Sequence, residues 1–324
     1  MARKKIKDCK VLIVGGAGFI GSHLVDQALQ QGAKEVVVID NLFTGSERNL
    51  KSALKSGRVH FYKEDAEFAS SLSYIFNNHS IDVTFNCATK ALNYSFINPE
   101  NSFSTNVNVV LNLLELQRLG NFETLCHFST SEVYGSALYE PMDEAHPKAP
   151  TTTYAAGKAA ADLAVESYVR MFDLDAFIVR PFNNYGPRQN YHGPLAGVIP
   201  ITAKRIFDGD PPEIHGDGLQ TRDFIFVSDT VKAVVDLYQK LNKGEAVNIS
   251  TNNQKRIADV IQLTANKLGY EGKISKKSGR NADVDHHIGD NQKIHKLIDF
   301  HQTDFNAGLA ETIKFYKEEL ENAG

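Results

Sequence analysis

Tyr154 and Lys158 stand four residues apart in the run Tyr-Ala-Ala-Gly-Lys. In a helix that spacing puts both side chains on one face, a turn apart. A free phenol titrates near ~10, and a neighbouring ammonium favours the phenolate, so the pair has the makings of a base toward a sugar or alcohol hydroxyl. Upstream, an apolar run at 125–128 leads into Ser129, Thr130, Ser131 and Glu132. The hydroxyls of Ser129 and Thr130 are suited to hold that alcohol, and Glu132 adds a second proton-transfer group. Tyr-x-x-x-Lys alone arises by chance on many surface helices. Its weight here comes from position, after a strand that ends in hydroxyl residues and downstream of a dinucleotide motif.

That motif lies near the start of the chain. Residues 11–14 are fully apolar, the pattern of a strand buried on both faces, and run into Gly15-Gly-Ala-Gly18-Phe19-Ile20-Gly21 and a helical pattern over 22–31. Glycines at 15, 18 and 21 allow a tight turn and close approach of backbone to a pyrophosphate at the helix N-terminus. A second strand at 35–39 ends at Asp40, the acid that such folds place on the adenosine ribose. Its charge repels a 2′-phosphate, which points to NAD rather than NADP.

Further strands are expected at 59–62, 81–87, 176–179, 224–227 and 246–249, and helices at 101–118, 154–172, up to 240, 256–268 and 308–321. Asp65, after the third strand, is placed either at the adenine or as a solvated loop acid. The helices 101–118 and 154–172 carry more apolar and small residues than a one-sided surface helix needs, from a dimer face or from burial in a monomer. The alternation of strand and helix implies an α/β fold, a doubly wound parallel sheet of Rossmann type. Residues 1–182 with about 224–252 are expected to form the NAD-binding domain. About 183–223 with 253–324 form a smaller, discontinuous C-terminal substrate lobe.

Composition narrows the class. A hydrophobic fraction of 42%, a charged fraction of 23% and a net charge of -4 are ordinary for a globular protein and leave no footprint for nucleic acid or membrane. Cys9, Cys87 and Cys126 are scattered and read as reduced thiols, so a cytoplasmic location is expected. The basic start lacks the long apolar stretch of a secretory signal, and no run is long enough to span a bilayer. His286 and His287 have no ligand partner at helical spacing and read as solvated or core histidines, with no metal site.

As a set, several motifs resemble the extended short-chain dehydrogenase/reductases that act on nucleotide sugars. They are Gly-Gly-Ala-Gly-Phe-Ile-Gly-Ser-His-Leu at 15–24, Asp40-Asn-Leu, Ser129-Thr-Ser-Glu-Val-Tyr-Gly, Tyr154 with Lys158, Arg-Pro-Phe-Asn-Asn-Tyr-Gly-Pro-Arg-Gln-Asn at 180–190, and Gly-Asp-Gly-Leu-Gln-Thr-Arg-Asp-Phe at 216–224. The resemblance implies a homodimer and removal of hydride from C4 of the sugar by tightly held NAD. Tyr154 would be the base, Lys158 its activator and ribose ligand, and Thr130 the partner of the C4 oxygen. The cofactor would lie against Gly15, Gly18, Phe19, Ile20, Gly21, Asp40, Asn41, Asp65, Ala66, Cys87, Ala88, Thr89, Asn106, Ser129 and Pro181 as well as Tyr154 and Lys158. The substrate would meet Lys90, Ser131, Asn183, the segment 198–205, Arg188, Arg222 and Arg280, the arginines suiting a pyrophosphate through their forked donors.

Members of this family part ways once the 4-keto sugar has formed. Epimerases resembling this chain usually carry a small residue at the position of Glu132, whereas 4,6-dehydratases and uronate decarboxylases carry an acid. The dTDP-glucose dehydratases have an Asp-Glu pair where this chain has Ser131-Glu132, which is more similar to dehydratases of GDP-mannose or UDP-N-acetylglucosamine type and to UDP-glucuronate decarboxylases. The expectation is a 4,6-dehydratase giving a 4-keto-6-deoxy sugar nucleotide from a UDP-N-acetylglucosamine- or GDP-sugar-like substrate. The alternatives are a decarboxylase, an epimerase, a plain C4 dehydrogenase and, in a different class, a non-catalytic NAD sensor. Departures from the family pattern are Val109-Val110, Cys87-Ala-Thr-Lys90 and Thr151-Thr-Thr153 before Tyr154.

Overall fold

Short β-branched runs build the centre of the molecule, and their order in space decides where ligands can sit. The computed structural model describes residues 3–279, 284 and 286–321. The strands are β1 (Lys10–Val14), β2 (Glu35–Ile39), β3 (Val59–Tyr62), β4 (Val83–Asn86), β5 (Thr124–Phe128), β6 (Asp175–Pro181), β7 (Asn183–Tyr185), β8 (Glu213–His215), β9 (Thr221–Phe226), β10 (Ala246–Ile249), β11 (Gln254–Arg256) and β12 (Ser275–Lys277). Seven of them form one parallel sheet in the order β3-β2-β1-β4-β5-β6-β10. Chain direction across the sheet reverses between β1 and β4, which opens a crevice at their C-terminal ends.

The helices are α1 (Phe19–Gln30), α2 (Lys51–Leu54), α3 (Ala69–Asn78), α4 (Pro99–Arg118), α5 (Thr153–Phe172), α6 (Val198–Phe207), α7 (Val227–Tyr238), α8 (Ile257–Lys267), α9 (Gln292–Leu297) and α10 (Phe305–Glu321). Side chains alternate across β1, so Val11 and Ile13 pack on one face and Leu12 and Val14 on the other. The first face is covered by α1 and α7 through Leu24, Val25, Val231 and Val234. The second is covered by α3, α4 and α5 through Leu72, Val110, Leu113 and Val165. Val109 and Val110 are both buried there.

Several boundaries differ from the sequence reading. α1 begins at Phe19, not residue 22, because Phe19-Ile20-Gly21 already form its first turn. α4 begins at Pro99, where proline at the first position and the Asn98 side chain, which accepts from the Asn101 N–H, start the helix. α5 uses the threonine run in the same way, with Thr152 Oγ1 accepting from the Ala155 N–H at 3.2 Å. The strand expected at 224–227 as part of the main sheet is β9, and it pairs elsewhere, parallel to β7 and antiparallel to β11. All six of its residues are buried, so its pattern carries no mark of which sheet it joins. Around it, Tyr185, Ile199, Phe224, Phe226, Val260, Phe305 and Leu309 form a separate apolar cluster. β8 and β12 make a further parallel pair beside it.

A buried ion pair ties α5 to the sheet. Arg180 donates through Nε and Nη2 to Asp162 Oδ2 at 3.1 and 3.0 Å, and through Nη1 to the Tyr134 hydroxyl at 3.0 Å. Tyr134 donates onward to Asn248 Oδ1 at 2.8 Å. Removing one partner strands the other charge without water, so Asp162→Asn is expected to lower stability by about 3–5 kcal/mol. A urea-unfolding midpoint unchanged from the parent would refute that.

Candidate active site

The turn after β1 is shaped for a dinucleotide. Gly15 has a φ of +78°, and a Cβ there would stand 2.8 Å from the Ala88 backbone, so the turn packs straight onto the chain leaving β4. Gly18 is the N-cap of α1 and supplies no side-chain cap, which leaves the first amides of the helix for a ligand. A Cβ on Gly21 would lie 2.1 Å from the Gly15 carbonyl oxygen. At the end of β2, Asp40 Oδ2 accepts from the Ala17 N–H at 2.9 Å and Oδ1 from the Leu42 N–H at 2.8 Å. Burial pushes its carboxyl up while these amides oppose the shift. Asn41 donates to Asp65 Oδ2 at 2.7 Å, and both residues line a cavity of about 750 Å³ together with Gly15, Gly18, Phe19, Ile20, Gly21 and Ala66. Uncapped amides, a glycine turn without room for Cβ and an acid at the second strand fit a dinucleotide such as NAD.

Cys87, Ala88 and Thr89 continue the same wall. Cys87 is half-buried, and desolvation raises the pKa of its thiol. Asn106 holds this wall without facing the cavity. Its Oδ1 accepts from the Lys90 N–H at 3.0 Å and from Thr89 Oγ1 at 2.9 Å, so the cofactor contact expected of it is replaced by support from behind. Lys90 sits with its Nζ 3.5 Å from the centre of the Phe43 ring and 5.6 Å from that of Tyr94. Burial lowers its pKa. The ammonium thereby bridges the loop after β2 and the loop after β4 across the cavity.

A second cavity of about 260 Å³ opens off the first, and Phe19, Cys87, Thr89, Leu92, Asn183 and Gln189 line both. The smaller one is walled by Ser129, Thr130, Ser131, Glu132, Tyr154, Lys158 and Pro181. Thr130 Oγ1 accepts from the Glu132 N–H at 3.2 Å and so starts the one-turn helix Ser131–Tyr134. Tyr154, in the first turn of α5, has its pKa pushed up to about 12 by burial; the Thr130 and Thr89 hydroxyls that hydrogen-bond it pull the other way, while Glu132 adds to the rise. Lys158 Nζ donates to the Phe128 carbonyl at 2.6 Å, and burial brings its pKa down to about 8. The sequence assigned the lowering of the Tyr154 pKa to Lys158. The groups that lower it here are the two threonines, since the ammonium is anchored at the end of β5.

Toward the second sheet the large cavity reaches Asn183, Arg205, His215, Gln220 and Arg222. Arg222 donates through Nη1 to the carbonyls of Thr221 and Val284. Arg205 falls in the expected segment 198–205 and is held by Glu213 at 3.0 Å. His215 went unread in the sequence, because the three-residue strand β8 has no periodicity to expose it, and Gln220 appeared there only within the 216–224 motif. Arg188 does not join them. Its guanidinium lies 2.7 Å from Asp26 on α1 and lines neither cavity, so the substrate contact expected of it is replaced by an ion pair. Arg280 lies outside the described residues. Among these residues there is no cluster of His, Cys, Asp or Glu able to hold a metal, and no helix long and apolar enough to cross a membrane.

A parallel sheet with a dinucleotide cradle at its reversal point, facing a Thr-Tyr-Lys cluster, defines a nucleotide-binding enzyme of the short-chain dehydrogenase/reductase type. The model of the GDP-mannose 4,6 dehydratase family matches residues 12–312, and the chain belongs to that family. It is 32% identical to the UDP-glucose 4-epimerase of Mycolicibacterium smegmatis over 95% of this chain and 98% of the relative. The structure of UDP-glucose 4-epimerase from Thermotoga maritima with UDP-glucose superposes with a TM-score of 0.90 at 29% identity, covering 96% of this chain and 99% of that one. A dTDP-glucose 4,6-dehydratase from Streptomyces venezuelae with NAD bound does so equally, with a TM-score of 0.90 at 29% identity over 95% and 97%. The chain is therefore an NAD-dependent member of the nucleotide-sugar epimerases and dehydratases.

The Gly21→Ala variant is expected to push the glycine turn off α1 and weaken NAD binding at least about tenfold, ~1.4 kcal/mol. Calorimetric titration of the purified variant with NAD checks this, and an unchanged affinity would show that the close approach does not shape the cradle.

Proposed function

We propose that the enzyme is a nucleotide-sugar 4,6-dehydratase. The observation that carries this reading is the Glu132 carboxylate, which lines the same small cavity as Thr130, Tyr154 and Lys158. An epimerase that returns hydride to C4 has no use for a carboxylate there, whereas removal of a C5 proton requires one. The NAD cradle supplies the hydride acceptor at C4 and the hydride donor at C6. Thr130 holds the C4 oxygen, and Tyr154 takes the C4 hydroxyl proton as that carbon becomes a ketone. Lys158, anchored on the Phe128 carbonyl, would hold the cofactor ribose beside the phenol. Glu132 then takes the C5 proton, made acidic by the adjacent ketone, and delivers it to the departing C6 hydroxyl, which leaves as water. Tyr154 returns its proton to C5 as C6 is reduced, so both side chains end the cycle as they began. Asn183, Arg205 and Arg222 are the groups proposed to hold the nucleotide end. The substrate class favoured is a UDP-N-acetylglucosamine- or GDP-sugar-like nucleotide.

Homodimerisation is part of the same proposal. It is supported by Phe103 on α4 and Leu163, Met171 and Phe172 on α5, apolar side chains exposed on two adjacent helices.

Tyr154→Phe is expected to slow sugar-driven reduction of bound NAD by about 10²–10⁴-fold, the usual contribution of a general base. Stopped-flow absorbance of the reduced nicotinamide reads this directly, and a parent-like rate would remove Tyr154 from the role. Glu132→Gln is expected to retain that reduction and lose dehydration. Mass spectrometry after incubation with UDP-N-acetylglucosamine, GDP-mannose, dTDP-glucose and UDP-glucuronate reads the product. Loss of water from the parent reaction and not from the variant supports the proposal. Loss of carbon dioxide would indicate decarboxylation, and an unchanged mass with altered chromatographic mobility would indicate epimerisation.

A further inference from the structure

The segment 286–290 crosses beneath the catalytic turn and is pinned there from three sides. The Met142 N–H donates to the Ile288 carbonyl at 2.9 Å, and the Asp290 N–H donates to the Met142 carbonyl at 2.8 Å. The Gly289 N–H donates to Asp223 Oδ2 at 3.2 Å. A Cβ on Gly289 would stand 2.5 Å from the Phe182 ring, so the segment lies flat on that ring. Within it His287 is completely buried, its imidazole 5.4 Å from Phe182 between ring centres. Its Nδ1 lies 3.4 Å from Ser131 Oγ and 3.9 Å from Glu132 Oε1.

The surroundings decide the tautomer. Burial holds the ring neutral, with a pKa of about 3, so it carries a single N–H. Nε2 is buried without a hydrogen-bond partner among the described residues. A buried N–H left without an acceptor is rarer and more costly than an idle ring lone pair. The proton therefore belongs on Nδ1, where Ser131 Oγ at 3.4 Å provides the acceptor and the Glu132 carboxylate, at 3.9 Å, lies just beyond hydrogen-bonding reach. Sequence spacing suggested only a solvated or core histidine, and burial alone agrees with the latter. Its position beneath two adjacent residues of the catalytic turn goes further.

We propose that His287 is a positioning residue for Glu132, its Nδ1–H fixing the Ser131–Glu132 turn so that the carboxylate faces the sugar rather than turning away. This rests on the reading of Glu132 as the C5 base. In that role the imidazole touches neither cofactor nor sugar. It carries the placement of the substrate lobe into the catalytic turn, because the segment that bears it is held by Asp223 of β9 and by Phe182.

Two measurements on the full-length protein test the proposal. In protein labelled with ¹⁵N-histidine, the resonances absent from His287→Asn identify His287. They are expected to show the Nδ1–H tautomer, with a shift on Glu132→Gln. An Nε2–H tautomer, or no response to Glu132→Gln, would overturn the proposal without need of any sugar. The second measurement is C5 hydrogen exchange in deuterated water with UDP-N-acetylglucosamine, GDP-mannose and dTDP-glucose as probes. His287→Leu is expected to lose exchange by about tenfold to a hundredfold in kcat, with KM and reduction of bound NAD near parent values, the scale of loss that small misplacement of a reacting group produces. His287→Asn, whose amide nitrogen stands close to the position of Nδ1, is expected to recover most of it. Equal loss in the leucine and asparagine variants would mean packing alone, and would overturn the proposal. Parent-like exchange in Glu132→Gln would instead remove the C5-base reading on which it rests, and parent-like exchange in His287→Leu alone would remove only the role of His287.

Discussion

A guanidinium and a carboxylate buried together set the geometry of the catalytic cluster. Arg180 on β6 and Asp162 on α5 are both almost completely shielded from water, and neither charge is tolerable there without the other. The pair therefore holds α5 at one height against the sheet. Tyr154 lies about two helical turns before Asp162 on that helix, so its phenol inherits the same placement. Through Tyr134 the guanidinium also reaches the short helix that carries Glu132, and through Asn248 it reaches the last strand of the sheet. Tyr154 and Glu132 are thus aligned by a single polar network behind the cavity wall. His127 lies beside this network, 3.8 Å from Asp162, and burial holds it in its neutral form, so it adds no competing charge.

The crevice these groups face is a product of topology. Reversal of chain direction between β1 and β4 opens a crevice at the C-terminal edge of the sheet, where the glycine turn packs against the chain leaving β4 and both line the dinucleotide cradle. The far wall is made by chain segments in and around the second sheet. Asn183 leaves β6 directly into that sheet, while Arg205, His215 and Arg222 arrive from later segments. Two loops meet over the cavity through Lys90, whose ammonium rests on the Phe43 ring. The large cavity runs from the cofactor cradle to the arginines, and the smaller one that holds the Thr-Tyr-Lys cluster shares part of its wall.

This scaffold serves several reactions with little change of shape. An epimerase and a dehydratase superpose on the chain equally well, so backbone geometry does not choose between returning hydride to C4 and carrying it to C6. The choice belongs to the side chains beside C5 and C6. Among them Glu132, rather than any feature of the sheet, carries the proposed dehydration, and His287 packs beneath it and Ser131.

Alternation of apolar runs with helical periods, the glycine triplet and Asp40 were enough, in sequence, for a parallel Rossmann sheet and its cofactor edge. Such signals are local, since strand burial, turn sterics and helix caps depend on residues close together in the chain. That Thr130, Glu132, Tyr154 and Lys158 would share one cavity was legible for the same reason, each standing near the end of a recognisable element. Side-chain partners at long separation were not legible. Arg188 resembles a phosphate ligand until Asp26 on a distant helix claims it, and Asn106 turns out to support a loop rather than face a cavity. β9 joined the small sheet because its neighbours in space, β7 and β11, could cover an apolar run that would have suited either sheet. His287 looked like one of two adjacent histidines in a polar strip. Only folding brought it under the catalytic turn, because hydrogen bonds to Asp223 and Met142, both far earlier in the chain, fix the path of its segment.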